Sequence, residues 1–115
     1  MKKILPVVLF ASLLFALDVS ANFTGPSVTG QVSTVQQVMS ARVGSYVTLT
    51  GNIVSHQREE YFTFQDDTGT LRVEIGNTVW RGRDIRPETR VKLFGEIDSG
   101  PAGRYLWVKS LDVVN

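Results

Sequence analysis

Residues 46–75 read YVTLTGNIVSHQREEYFTFQDDTGTLRVEI. Three runs rich in β-branched and aromatic residues, at 46–54, 61–65 and 70–75, are separated by a polar segment at 55–60 and by the sequence DDTG at 66–69. Such runs with such breaks are typical of antiparallel strands joined by turns or short loops. The stretch therefore predicts a three-stranded meander, with 55–60 as the first loop.

Apolar side chains alternate with polar ones along these runs. Because successive side chains of a strand point to opposite faces, the pattern predicts a sheet with one dry and one wet face. Gly51 stands where a core residue is due, which suggests a bend or bulge that lets the first strand serve two sheets. The predicted core residues are Val47, Leu49, Ile53, Phe62, Phe64, Leu71, Val73 and Ile75.

The rest of the domain adds two strands and two short inserts. Residues 90–97 and 104–114 have strand character, with a turn-rich loop at 98–103. Before the meander, residues 35–41 predict a short helix capped by Ser33 or Thr34. Between strands three and four, residues 78–81 predict a single helical turn within an otherwise irregular segment. There Trp80 is interpreted as a plug at one end of the barrel rather than as a stacking platform.

Together these elements predict an all-β fold. Five short antiparallel strands, with a short N-terminal helix and a short helical or irregular insert between strands three and four, match a Greek-key barrel of OB type. We assign residues 34–115 to this domain and 22–33, rich in Gly, Ser, Thr, Asn and Pro, to a flexible N-terminal arm.

The segment 1–21 resembles a targeting signal. Lys2 and Lys3 precede an apolar run at 4–17, and Val19 and Ala21 occupy the positions that a signal peptidase recognises. The alternative is a membrane anchor, but the apolar run is shorter than the ~18 residues that a spanning helix needs. We therefore predict a signal peptide cleaved after Ala21, a periplasmic location and no transmembrane segment in the mature chain.

Composition restricts the classes of partner. The chain has 12 Lys and Arg against 11 Asp and Glu, and the predicted signal peptide removes Lys2, Lys3 and Asp18, so the mature chain is formally neutral. Nucleic-acid binding depends heavily on attraction to phosphates, and neutrality weighs against it. The chain has no cysteine, so no disulfide stabilises the domain.

Beyond these patterns, the chain resembles the bacterial OB-fold proteins of the YgiW/YdeI type. The resemblance covers nearly all of the mature chain. It implies a periplasmic OB-fold monomer or small oligomer, in a family linked to the envelope and to stress tolerance and without established catalysis. Its main motifs are Phe23-x-Gly25-Pro26, the run VTLTGNIV at 47–54, Trp80-x-Gly82 and Gly95-Glu96-Ile97-Asp98.

No motif for catalysis, a metal or a cofactor is found. The chain has one histidine, His56. Its neighbour Ser55 would point to the opposite face of an extended strand, so the two cannot act as nucleophile and base. Asp66 and Asp67 offer too few oxygens for calcium and are interpreted as turn residues. We predict a protein that is not an enzyme.

A binding surface remains. OB folds commonly hold ligands on the exposed face of strands two and three, between the first and last hairpin loops. Aromatic rings beside arginines can stack on sugars or bases and pair with anions, although ordinary edge-strand residues would look the same. The predicted function is a non-catalytic binding or adaptor protein for an envelope component such as a glycan, peptide or membrane protein; the alternative is an oligonucleotide-binding protein. The predicted site residues are Tyr61, Thr63, Gln65, Arg72 and Glu74, flanked by His56, Gln57, Arg58, Arg104 and Tyr105.

Overall fold

The computed structural model describes residues 30–114. The predicted signal peptide and most of the predicted arm lie outside the described residues. In chain order the elements are β1 (Gln31–Val32), α1 (Val35–Val38), β2 (Tyr46–Arg58), β3 (Tyr61–Asp66), β4 (Gly69–Glu74), α2 (Asn77–Trp80), β5 (Arg90–Gly100) and β6 (Gly103–Val113).

The strands form a closed barrel. Their order in the sheet is β1-β2-β3-β4-β6-β5, and a further pairing of β2 with β5 closes it. All barrel pairings are antiparallel except that of β4 with β6. The predicted all-β, five-stranded OB barrel is therefore confirmed. The two-residue strand β1, from the end of the predicted arm, adds a parallel pairing to β2.

β2 is shared between the two halves of the barrel. It pairs with β5 from Tyr46 to Asn52 and with β3 from Asn52 to Arg58. At the changeover a Cβ on Gly51 would collide with the carbonyl oxygen of Gln65 and lie 2.8 Å from the Phe64 ring. The strand is shared on either side of Gly51, as predicted, but the register shifts lie further on, after Ile53 and after His56. At Gly51 itself the missing side chain lets the two strands approach closely.

The side chains that point into the barrel are the apolar ones of the predicted alternation. Phe64 and Leu49 are fully buried, and Phe62 packs at the margin of the core, so the assignment of inward and outward faces on β3 is correct. The buried hydrophobic residues are Val35, Val38, Val47, Leu49, Ile53, Phe64, Leu71, Val73, Ile75, Val91, Leu93, Ile97, Leu106, Val108 and Leu111.

Two predicted loops are wrong in extent. β2 continues to Arg58, so His56, Gln57 and Arg58 lie on a strand rather than in a loop. Two register shifts accommodate the polar run, and the turn narrows to Glu59 and Glu60, with Glu59 at a φ of 49°. Likewise β5 runs to Gly100 and β6 begins at Gly103, so the predicted loop at 98–103 is a tight turn. Backbone groups can pair in a strand whatever the side chains are. A prediction based on polar side chains therefore made both loops too long.

The β3–β4 turn caps helix α1. Thr34 is the N-cap, and its capping box with Gln37 decides between the two predicted caps. One Asp66 carboxylate oxygen accepts from the Val35 N–H at 2.9 Å, and the other accepts from the N–H and hydroxyl of Thr68. Asp66 is thus a turn residue, as predicted, and it also joins the turn to the helix.

Helix α2 closes one end of the barrel. It lies one residue earlier than the predicted turn and ends where Arg81 adopts a left-handed conformation, with a φ of 56°. Trp80 meets the Phe62 ring edge-on at 5.1 Å between centroids and packs against the core with Val79 and Ile85. This half-buried packing against the core agrees with the interpretation of Trp80 as a plug rather than a stacking platform. Among residues 30–114, no helix is long and apolar enough to span a membrane.

Candidate functional site

Four of the predicted site residues form an aromatic–arginine ladder, which we define as Arg58, Tyr61, Arg72 and Tyr105. β3, β4 and β6 lie side by side, so Tyr61, Arg72 and Tyr105 reach the outer face of the barrel together. The Tyr61 and Tyr105 rings meet edge-on, 6.0 Å apart and at 81°. The extension of β2 brings Arg58 opposite Tyr61, with its guanidinium carbon 5.4 Å from the centroid of that ring.

Arg72 occupies the centre of the ladder. Its guanidinium carbon lies 5.1 Å from the Tyr61 centroid and 4.9 Å from that of Tyr105, within the range of cation–π attraction. One terminal nitrogen donates to the Gly103 carbonyl oxygen at 3.4 Å. No carboxylate within the described residues forms an ion pair with Arg72. Its orientation is fixed by rings rather than by a counter-charge, which leaves the charge available to a ligand.

The phenol of Tyr105 is held in its neutral form. Burial, the hydrogen bond to Asp98 and the negative charges of Asp98 and Glu74 all raise the pKa of Tyr105 above its ordinary value of 10.0. The hydroxyl donates to the Asp98 carboxylate at 3.1 Å. The hydrogen bond to Asp98 therefore anchors the Tyr105 ring at its outer end.

Polar residues continue the outer face beside the ladder. Thr63 lies between Ser55 and Arg72 in the sheet, and its hydroxyl accepts from the Gln57 side chain at 2.8 Å. Glu74 is the register partner of Tyr61. Gln65 is exposed at the far end of β3, near Asn52 and Asp66. The face thus carries aromatic rings, arginines and the acidic Glu74 at one end, and the uncharged Thr63 and Gln57 at its middle.

Two predicted site residues do not join this face. His56 turns the other way: its ring packs on Phe62 at 4.7 Å between centroids, and its Nε2 is 2.8 Å from the Glu59 carbonyl oxygen. Arg104 points towards α1 and donates to the carbonyl oxygens of Ala41, at 2.6 Å, and Val38, at 3.4 Å. Strand parity places Arg104 opposite to Tyr105. His56 is separated from Arg58 by a register shift and lies on the side of its register partner Phe62.

The predicted site missed a large exposed residue beside the ladder. Trp107 follows Tyr105 by two positions on β6, so both lie on the outer face, and Trp107 is 44% exposed. The alternation of side chains along RYLWVK already indicates that Tyr105 and Trp107 share one face. Trp107 was missed because the prediction followed only the strands and loops that OB folds usually use.

His56 is bonded to a main-chain carbonyl, and no group of three or more Asp, Glu or His side chains in residues 30–114 is arranged to hold a metal ion. What the ladder can do chemically is stack against a ring and pair with an anion.

Comparison with known proteins places this geometry in context. The family described as "Bacterial OB fold (BOF) protein" matches residues 17–113. The calcium-regulated OB-fold protein CarO of Pseudomonas aeruginosa is 33% identical over 96% of this chain and 95% of its own. Protein YgiW of Escherichia coli K12 is 33% identical over 100% of this chain and 99% of its own.

The fold agrees with a solved relative. The structure of the hypothetical protein YgiW from E. coli superposes with a TM-score of 0.71 at 34% identity, and the match covers 81% of this chain and 98% of that one.

Proposed function

This chain belongs to the bacterial OB fold (BOF) protein family, and on that premise we propose that it is a non-catalytic binding or adaptor protein of the cell envelope. It works in the periplasm, is linked to stress tolerance, and binds an envelope component such as a glycan, a peptide or a membrane protein. The observation that carries the proposal is the aromatic–arginine ladder on the outer face of β3, β4 and β6.

The ladder favours a ligand that combines a flat or ring-shaped surface with an acidic group. Tyr61 offers a ring for stacking, and Arg72 offers the planar donor edge that suits a carboxylate or phosphate. Because Arg72 is already held between two rings, little side-chain entropy is lost when a ligand binds. Such pre-organisation supports a recognition role over a merely structural one.

The periplasmic assignment is supported by the sequence before the domain. A positive start, a short apolar run and small residues at 19 and 21 form the pattern of an exported protein.

The proposal is tested by capture of envelope fractions. The purified protein, immobilised, is presented with separated glycan, peptide and membrane-protein fractions of an envelope extract. We expect retention of one fraction by the unaltered protein and its loss with Arg72→Ala. Arg86→Ala is the matched control, because the Arg86 side chain is exposed and pairs with Glu88 at 3.9 Å, away from the ladder. Equal retention by both variants would rule out the ladder as the binding site.

A second candidate, the oligonucleotide-binding function, is favoured by the same ladder. Rings interleaved with arginines are the stacking platform that single-stranded nucleic acids use, while the neutral charge of the mature chain weighs against it. A titration with single-stranded DNA at low and moderate salt separates the two functions. Micromolar affinity with a steep loss on added salt would favour the nucleic acid.

A further inference from the structure

Trp107 lies at the centre of an acidic surface that adjoins the ladder, since Glu74 is the register partner of both Trp107 and Tyr61. On one side its register partner is Glu74 of β4, and on the other side it is Glu96 of β5. Neighbouring strands are about 4.8 Å apart, so both carboxyl side chains border the indole. Asp98 follows Glu96 by two positions on the same outer face and faces Tyr105. An exposed indole is thus bordered by acidic residues on two strands.

These acidic residues have no cationic partner in residues 30–114. The ion pairs found there join Arg58 with Glu59 and Arg86 with Glu88. The Asp98 carboxylate accepts from the Tyr105 hydroxyl, which is uncharged. The carboxylates of this surface therefore form no ion pair with the side chains of residues 30–114.

The ammonium group of Lys109 already contacts the Trp107 indole. The Lys109 ammonium nitrogen lies 3.2 Å from the Trp107 ring centroid. This is a cation–π contact rather than an ion pair with a carboxylate. Lys109 is exposed, so its contact with the ring is open to competition from solvent-borne groups. It shows which chemical group the ring face accepts.

We propose that the acidic surface around Trp107 (Glu74, Glu96, Asp98 and Trp107) binds a lysine-rich, extended segment of a partner polypeptide. One lysine of the segment displaces Lys109 from the indole, and a second pairs with the bordering carboxylates. Glu96 and Asp98 are two positions apart on a strand, about 6.6 Å along its axis, which is the spacing of alternate side chains in an extended peptide. Charge and spacing together favour a basic polypeptide. This proposal does not depend on the ligand of the ladder.

The test uses the two indole N–H signals of the purified protein in a nuclear magnetic resonance titration with a tetralysine peptide at low ionic strength. Signals are assigned with Trp107→Phe and Trp80→Phe. We expect the Trp107 signal to shift saturably while the Trp80 signal stays in place. Tetraglutamate should shift neither. An unmoved Trp107 signal, or an equal response to tetraglutamate, would overturn the proposal.

Variants then test each part of the surface. Lys109→Met removes the internal competitor and should tighten tetralysine binding about threefold. The matched control Lys92→Met removes the same charge from the exposed face of β5 and should change affinity far less. The double variant Glu74→Gln/Glu96→Gln should weaken binding about fivefold.

Three further results would contradict the proposal. They are equal effects of Lys109→Met and Lys92→Met, unchanged affinity in the double variant with its native melting curve, and binding of the small polyamine spermidine as tight as that of tetralysine. The last result would assign the surface to a free amine instead of a polypeptide.

Discussion

Replacing Asp66 by alanine isolates the link between the β3–β4 turn and helix α1. Its carboxylate accepts from the Val35 N–H at 2.9 Å, from the Thr68 N–H at 2.8 Å and from the Thr68 hydroxyl at 2.7 Å. The same Thr68 hydroxyl oxygen accepts from the Gln36 N–H at 3.0 Å. The substitution therefore removes one cap of the helix directly and disturbs a second one.

The expected loss in the free energy of unfolding follows from how exposed these hydrogen bonds are. Loss of a side-chain cap costs about 1 kcal/mol. The two bonds within the exposed turn together contribute about 1 kcal/mol more, because solvent competes for them. We expect Asp66→Ala to lower the free energy of unfolding by about 2 kcal/mol, which is roughly 10 °C in Tm for a domain of this size.

The cost should depend on pH. Burial alone would raise the pKa of Asp66, but the hydrogen bonds from Thr68, Val35 and Gly69 outweigh it and hold the pKa below its ordinary value of 3.8. A lowered folded-state pKa gives stability that is fully present above the unfolded-state pKa. That stability is lost as the pH falls through the folded-state value. The difference between the unaltered protein and Asp66→Ala should shrink below about pH 4.

Urea unfolding at neutral pH and near pH 3 measures both effects. Asp67→Ala is the matched control, because the neighbouring carboxylate is exposed. Its loss should cost no more than about 0.5 kcal/mol. If the two aspartates cost the same at neutral pH, or if the Asp66 effect does not change with pH, the assigned role of this turn is wrong.

Three other predictions concern the core, the strand crossing and export. Phe64→Ala should cost roughly 3–5 kcal/mol by urea unfolding while Tyr61→Ala costs about 1 kcal/mol or less; the reverse order would mean that β3 is assigned one residue out of register. Gly51→Ala should prevent a native melting transition, because its Cβ has no room against the backbone of β3; a normal melt would show that the strands can separate there. Mass spectrometry of the periplasmic fraction should give a chain that begins at Asn22, and an intact Met1 in the membrane pellet would contradict cleavage after Ala21.

The sequence predicts the framework well because burial alternates strictly. The positions of Leu49, Phe64 and Val73 follow from a period of two, which the backbone imposes on any half-buried strand. Gly51 was recognised for a similar reason, since a missing side chain at a core position is itself a signal.

The site was less predictable because side-chain partners depend on register between distant strands. Arg72 and Tyr105 were both placed on the outer face, but their stacking depends on the parallel pairing of β4 with β6, which no local pattern reports. Arg104 and His56 were assigned by loop proximity and lie elsewhere. Arg104 is one step from Tyr105, which reverses the face, and a register shift separates His56 from Arg58. The same alternation of faces predicts that Trp107 lies on the outer face with Tyr105.

The double pairing of β2 also has consequences for how the chain folds. β3 pairs with its sequence neighbours β2 and β4. The first half of β2 pairs with β5, far later in the chain, with Asn52 opposite Arg90 and Tyr46 opposite Glu96. At a synthesis rate of about 5–20 residues per second, that half waits roughly 2–10 s for its partner. During this interval Val47 and Leu49 stand on an open strand edge, which is the kind of edge that pairs with other chains. This edge stays open until β5 is available, so the barrel closes only after the C-terminal strands have joined it.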